Sequence, residues 1–303
     1  MSGSTQTLSR KIDGARDLQG VVRSMKALAA SSIDQYEKAV EALEEYSRAL
    51  QLGLSVCLRQ SALRPRSVGT RSRGPRAIGA ILFGSDQGLV GRFNEVLLDC
   101  AVSTLAALPV KVSRIWAVGE RIGALIVEAG LPTPNPLSVP NSVDAITPLI
   151  GQILIELEAA RVHGELLEVY LFHNHPGSAP LYQPVSQRLL PFDALWQRKF
   201  LELPWPTRNL PQVMEGTEPA LQDLIREYLF VLLFQACAES LASENASRLA
   251  SMQRAEKNIQ DILEQLSRQF HRLRQESIDE ELFEVISGYE ALSRGVAHGG
   301  GRR

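Results

Sequence analysis

The sequence predicts an α/β protein with long helices, in which one mostly parallel, doubly wound sheet domain is inserted between two extended helices. Three observations predict it. Helix breakers are missing near both ends: no proline precedes Pro65, no glycine falls between Gly20 and Gly53, and neither residue occurs between Pro219 and Gly288. Apolar residues in those stretches recur at the heptad spacing of a coiled coil. Between them, short apolar runs alternate with helical stretches, the mark of βαβ architecture.

The first helix takes up residues 1–60. Its seam reads Leu18, Val22, Met25, Ala29, Ser32, Tyr36, Ala39, Leu43, Tyr46, Leu50, with Asp34, Glu37, Lys38, Glu41, Glu44 and Glu45 off the stripe. A basic linker over 61–76 follows, broken by Pro65, Gly69, Gly74 and Pro75 and carrying Arg64, Arg66, Arg71, Arg73 and Arg76. It reads as a solvated connector or as a contact for anionic headgroups or an acidic partner.

The α/β domain spans 77–196. "AIGAILFG" (77–84), "SRIWAVG" (113–119) and "LLEVYLFHN" (166–174) read as strands; 92–108, 121–130 and 144–162 read as helices. A connector over 197–219 holds Pro204, Pro206, Pro211 and Pro219. The second long helix covers 220–290. Its seam runs Leu221, Leu224, Tyr228, Val231, Gln235, Ala238, Ala242, Asn245, Leu249, Met252, Glu256, Ile259, Leu263, Leu266, Phe270, Leu273, Ser277. A flexible tail over 291–303 ends the chain.

Composition narrows the function. Among 303 residues, 32 Lys plus Arg face 34 Asp plus Glu, so no net charge draws the chain to nucleic acid. Aromatic content of 6% is too sparse for a base-stacking surface. Cys57, Cys100 and Cys237 are odd in number and far apart, which indicates neither a disulfide framework nor a cysteine zinc site. The N-terminus lacks the apolar core of a secretory signal. The longest strongly apolar run, "YLFVLLF", is far too short to span a bilayer, so at a membrane other chains must hold this one.

Two stretches invite a chemical reading. In "HNHPGS", His173 and His175 lie on one side of an extended backbone, where two imidazoles could share zinc. The segment resembles the His-x-His of JAMM-type metallopeptidases, but the expected Ser and Asp positions are Gln183 and Ser186. Two histidines do not complete a zinc site, so no metal is expected and Pro176 and Gly177 simply turn the chain. In "FGSDQGLVGRFN" (83–94), Gly84, Gly88 and Gly91 sit between a strand and a helix, a place suited to phosphate. No lysine completes a P-loop and the spacing is not GxGxxG, so a structural turn is the better reading. No Ser-His-acid set and no HExxH occur. Neither a cofactor nor an active site of its own is expected.

Three segments, in order along the chain, resemble the gamma subunit of F-type ATP synthases. Gly84-Ser85-Asp86-Gln87-Gly88-Leu89-Val90-Gly91-Arg92-Phe93-Asn94 is similar to the family's "STDRGLCGGLN", agreeing at Ser85, Asp86, Gly88, Leu89, Gly91 and Asn94. "LSRKIDGARDLQGVVRSMKALAAS" resembles its N-terminal helix, through Lys11, Ile12, Gln19, Met25, Ala29, Ala30 and Ser31. "ESLASENASRLASMQRAEKN" and "RQESIDEELFEVISGYEA" resemble its C-terminal helix, with Asp279 and Tyr289 departing from the pattern. "QRLLP" (187–191) is similar to the end of its central domain.

The resemblance implies an antiparallel coiled coil of the terminal helices carrying a Rossmann-like domain. It implies a non-catalytic central-stalk rotor turning inside a hexamer of alpha and beta subunits, seated with epsilon on the c ring. The setting implied is the cytoplasmic side of a cell inner membrane, touched through the c ring, in a synthase or a divergent, alternative F-type ATPase. Arg23, Met25, Lys26, Arg248, Arg274, Gln275 and Glu281 become the expected hexamer contacts. Ser85, Asp86, Gly88, Gly91 and Asn94 become a candidate coupling turn. Plant-type regulatory cysteines have no counterpart. Two other readings are a coiled-coil adaptor with a nucleotide-sensing α/β domain, and a zinc hydrolase using His173 and His175.

Overall fold

Eleven elements carry the fold in a computed structural model that describes residues 2–62, 77–162, 168–179, 181–209, 211–213 and 216–298, with side chains not described at 2–4, 61–62 and 289–298. The arginines of the basic linker and residues 299–303 lie outside the described residues. In order the elements are α1 (Ser2–Ala62), β1 (Ile78–Phe83), α2 (Phe93–Ala106), β2 (Val112–Val118), α3 (Glu120–Glu128), β3 (Asn135–Leu137), α4 (Ile146–Val162), β4 (Glu168–Pro176), β5 (Tyr182–Leu190), α5 (Ala194–Leu201) and α6 (Thr217–His298). Contacts divide them into two units, Met1–Ala27 with Met252–Arg303, and Leu28–Ser251.

The first unit is a pair of helix segments running antiparallel. Gln19 Nε2 donates to Gln260 Oε1 at 3.0 Å and Arg23 Nε to Glu256 Oε1 at 2.9 Å, so position rises on α1 as it falls on α6. On α6 the seam is where the heptads place it: Met252 is buried, and Ile259, Leu263, Leu266, Phe270, Leu273 and Ser277 are half-buried between exposed neighbours. On α1, Ile12 is buried and Val22 and Met25 are half-buried. Leu18 corrects the seam reading, because it is 60% exposed and Gln19 takes the inward place. A straight helix turns every 3.6 residues, so a strict 3.5-residue count drifts off the buried line.

The second unit holds a five-stranded sheet in the order β3-β2-β1-β4-β5. The first four strands are mutually parallel, and β5 pairs antiparallel with β4. Every residue of β1 is buried, because both faces of the sheet are covered. Ile78, Ala80 and Leu82 face Leu97 and Ala101 of α2 and Ile122 and Ile126 of α3. Ile81, Phe83, Trp116 and Leu171 face the opposite way, onto Ile150 and Ile153 of α4, Leu233 and Cys237 of α6, and Tyr36 of α1. A third cluster joins Leu50, Leu54 and Cys57 to Phe200, Leu221, Tyr228 and Val231.

Three elements escape the sequence reading: β3, β5 and α5. Helix α5 starts at Asp193, whose side chain accepts from Trp196 N at 2.7 Å and caps it. The connector read over 197–219 therefore begins inside a helix, and α6 begins at Thr217. Helix α1 continues to Ala62, and α6 to His298. Tyr46, placed on the seam by heptad counting, is 47% exposed and donates to Glu227 Oε1 at 2.7 Å, while Ser47 turns inward.

Candidate functional site

The glycine-rich turn leaves the C-terminal end of β1. Gly84 N donates to Val118 O at 2.9 Å, and a Cβ at Gly84 would stand 2.4 Å from Ile122 Cβ, so only glycine fits unless α3 moves. Ser85 is fully buried and locked reciprocally to Asn94: Ser85 N donates to Asn94 Oδ1 at 3.0 Å, and Asn94 Nδ2 to Ser85 Oγ at 2.8 Å. Asp86 Oδ1 accepts from Glu120 N at 3.0 Å, placing a carboxylate at the N-terminus of α3. Leu89 and Gly91 take left-handed backbone, at φ 64° and 61°. Gly88 stands in open space, where a Cβ would meet nothing within 4 Å. The polar groups that a phosphate would seek at Ser85 are already bonded within the turn, as suits a structural turn.

Helix α6 grips this end of the sheet with three serines. Ser240 Oγ donates to Phe83 O at 2.7 Å, Ser243 Oγ to Asn174 O at 2.9 Å, and Ser247 Oγ to Val90 O at 2.5 Å. Ala236, Ala238 and Ala242 of the same stretch of α6 are buried against the sheet core, where small side chains permit close approach. Asn174 Nδ2 adds a bond to Phe93 O at 3.1 Å, tying β4 to the start of α2.

Next to that grip, Glu239 of α6 faces the end of β4. Its Oε2 lies 2.9 Å from His173 Nε2 and 2.8 Å from His175 Nδ1, and its Oε1 accepts from Gln235 Nε2 at 2.7 Å. Burial raises the Glu239 pKa, but the hydrogen bonds from His173, His175 and Gln235 outweigh it and hold the carboxyl at about 2. Five residues on, Glu244 is buried and accepts from Arg248 Nη2 at 2.5 Å. Burial pushes its carboxyl up, and the guanidinium only partly offsets that. Local spacing could not reveal Glu239 as a partner of the histidines, because it lies 66 and 64 residues from them in sequence.

The expected hexamer contacts fall into three environments. Arg248 is half-buried and turned to Glu244 and Asn245. Arg23 and Lys26 both donate to Glu256, at 2.9 and 2.5 Å, beside half-buried Met25. Arg274, Gln275 and Glu281 are exposed. Among the described residues no helix is long and apolar enough to cross a membrane.

The family model described as ATP synthase matches residues 4–292. The chain is 28% identical over 301 residues to the ATP synthase gamma chain of Desulfitobacterium hafniense, covering 95% of this chain and 99% of that one. It is 25% identical to the gamma chain of Dechloromonas aromatica at the same coverage. Its fold is that of a chain in the mitochondrial ATP synthase OSCP/F1/c-ring structure of Euglena gracilis (TM-score 0.60, 15% identity, 97% of this chain and 96% of that one). It is also that of a chain in the central stalk/c-ring structure from Tetrahymena thermophila (TM-score 0.53, 20% identity, 78% and 99%). Matched by the family model along nearly its whole length and aligned end to end with gamma chains, this chain belongs to the ATP synthase family.

Proposed function

We propose that this chain is the central-stalk rotor subunit of an F-type ATP synthase or ATPase. It couples rotation of a c ring to ATP synthesis or hydrolysis in an alpha–beta hexamer and carries no catalytic site of its own. The observation that carries the reading is the antiparallel helix pair of residues 2–27 and 252–298, in a chain that aligns from end to end with gamma chains. An asymmetric, stiff element of that kind can bias surrounding sites differently as it turns. Its partners are alpha, beta and epsilon subunits and the c ring, through which it meets the cytoplasmic face of the cell inner membrane.

Exposure supports Arg274, Gln275 and Glu281 as residues facing the hexamer. Arg23, Lys26 and Arg248 have carboxylates of their own chain, so any contact they make outward shares those partners. The bonds that hold Ser85, Asp86 and Asn94 support a turn that keeps the sheet end rigid for coupling. Affinity isolation of the tagged full chain from its native membrane tests the proposal. Alpha, beta, epsilon and c subunits should co-purify in a complex that hydrolyses ATP; recovery of the chain with none of them would refute it.

A further inference from the structure

We propose that His173, His175 and Glu239 form a binding site for a zinc-class transition-metal ion that clamps the end of β4 to α6. Their ligand atoms lie within 4.8 Å of one another, contributed by two elements of the same unit. Sequence spacing lacks a third ligand because it comes from α6, beyond the reach of a local motif. Two imidazoles and a carboxylate select zinc-like ions over magnesium or calcium, which favour all-oxygen sites.

The geometry needs little change. An ion about 2.0–2.1 Å from each donor sets donors about 3.3 Å apart in a tetrahedron. Glu239 Oε2, at 2.9 and 2.8 Å from the two ring nitrogens, must therefore withdraw by about half an ångström. Gln235, bonded to the other carboxylate oxygen, holds the group in orientation as it does so. His173 and Glu239 are buried, with side chains 7% and 9% exposed, whereas the His175 side chain is 56% exposed and leaves a fourth position for water. The metal takes the place of any proton on the ligating nitrogen, and each ring, bound as a neutral imidazole, carries its proton on the other nitrogen. That nitrogen in His173, Nδ1, is buried with no partner among the described residues. A ligating histidine lacking that outer hydrogen bond binds about 10–100-fold more weakly than one that has it.

The test uses the full chain, stripped of metal and titrated with Zn²⁺ by calorimetry, with Mg²⁺ as control. One ion should bind per chain, Mg²⁺ should not compete, and the melting temperature should rise with Zn²⁺. Co²⁺ in place of Zn²⁺ should give visible bands without thiolate charge transfer, which separates this site from the three cysteines. His175→Ala, at a side chain that is 56% exposed, should weaken binding at least tenfold, and Glu239→Gln should do the same. Absence of one-to-one binding, unchanged affinity in His175→Ala, or a cobalt–thiolate band in place of nitrogen and oxygen ligation would each overturn the proposal.

Discussion

Gly84 shows how little slack the glycine-rich turn has. In Gly84→Ala the new methyl must displace Ile122 of α3, buried against the sheet, at a cost of about 1–3 kcal/mol. Chemical denaturation of the full chain should show that loss, whereas Gly88→Ala, in open space, should change stability by less than about 0.5 kcal/mol. Glu256 offers a test by pH. Hydrogen bonds from Lys26 and Arg23 lower its pKa below the ordinary 4.5. A depressed carboxylate contributes stability that is present above its unfolded value and lost as pH falls through the folded one. The helix pair should therefore loosen below about pH 4.5, as seen by helical circular dichroism, and Glu256→Gln should remove that component of the acid transition. At this scale the sequence was readable where chemistry is local. Ser85, Asp86 and Asn94 could be singled out within one turn, and the Ser85–Asn94 bonds lie inside it, whereas Asp86 reaches out to Glu120 N of α3. Glu239 could not, since nothing near it in sequence announces the histidines it meets.

Among the elements, legibility followed burial. Strands β1, β2 and β4 are covered on both faces and read as continuous apolar runs with helices between them. Strand β5 lies at the sheet edge with Gln183, Pro184, Gln187 and Arg188 in it, so it lacks that signature. Strand β3 is three residues long, and α5 is hidden beside the prolines of the connector. The two long helices were readable from the absence of breakers, and their seam failed only at Leu18 and Tyr46, where heptad counting lost phase. The α6 seam at Leu263 and Leu266 can be challenged directly. Leu263→Asp or Leu266→Asp half-buries a carboxylate against apolar neighbours, costing about 2 kcal/mol or more. Reconstitution with alpha and beta subunits should fall sharply for both; a normal yield would mean that these leucines contribute nothing to the pairing.

For the whole molecule, the decisive property is whether the shaft turns. Only Cys100 needs replacing before a cross-link is introduced, because Cys57 and Cys237 are buried and burial raises both thiols away from the reactive thiolate. With Cys100→Ser as background, Gln275→Cys, at an exposed position proposed to face the hexamer, is oxidised to a cysteine placed on a beta subunit at disulfide geometry. Multiple-turnover ATP hydrolysis should collapse on oxidation and return with dithiothreitol, since each turn must leave one beta subunit for the next. Undiminished turnover with complete cross-linking would count against rotation of this segment. Torque must also pass between α6 and the sheet, and the three serine bonds bear on that. Ser240, Ser243 and Ser247 lie three and four residues apart, on one face of the helix, and hold three backbone carbonyls of the sheet end. Turning α6 by a single residue, about 100°, would break all three bonds together and leave buried acceptors bare, at roughly 1–3 kcal/mol each. The helix is thus splined into its socket: it cannot slip by degrees, and a twist applied to the sheet domain arrives at this stretch of the shaft as a twist.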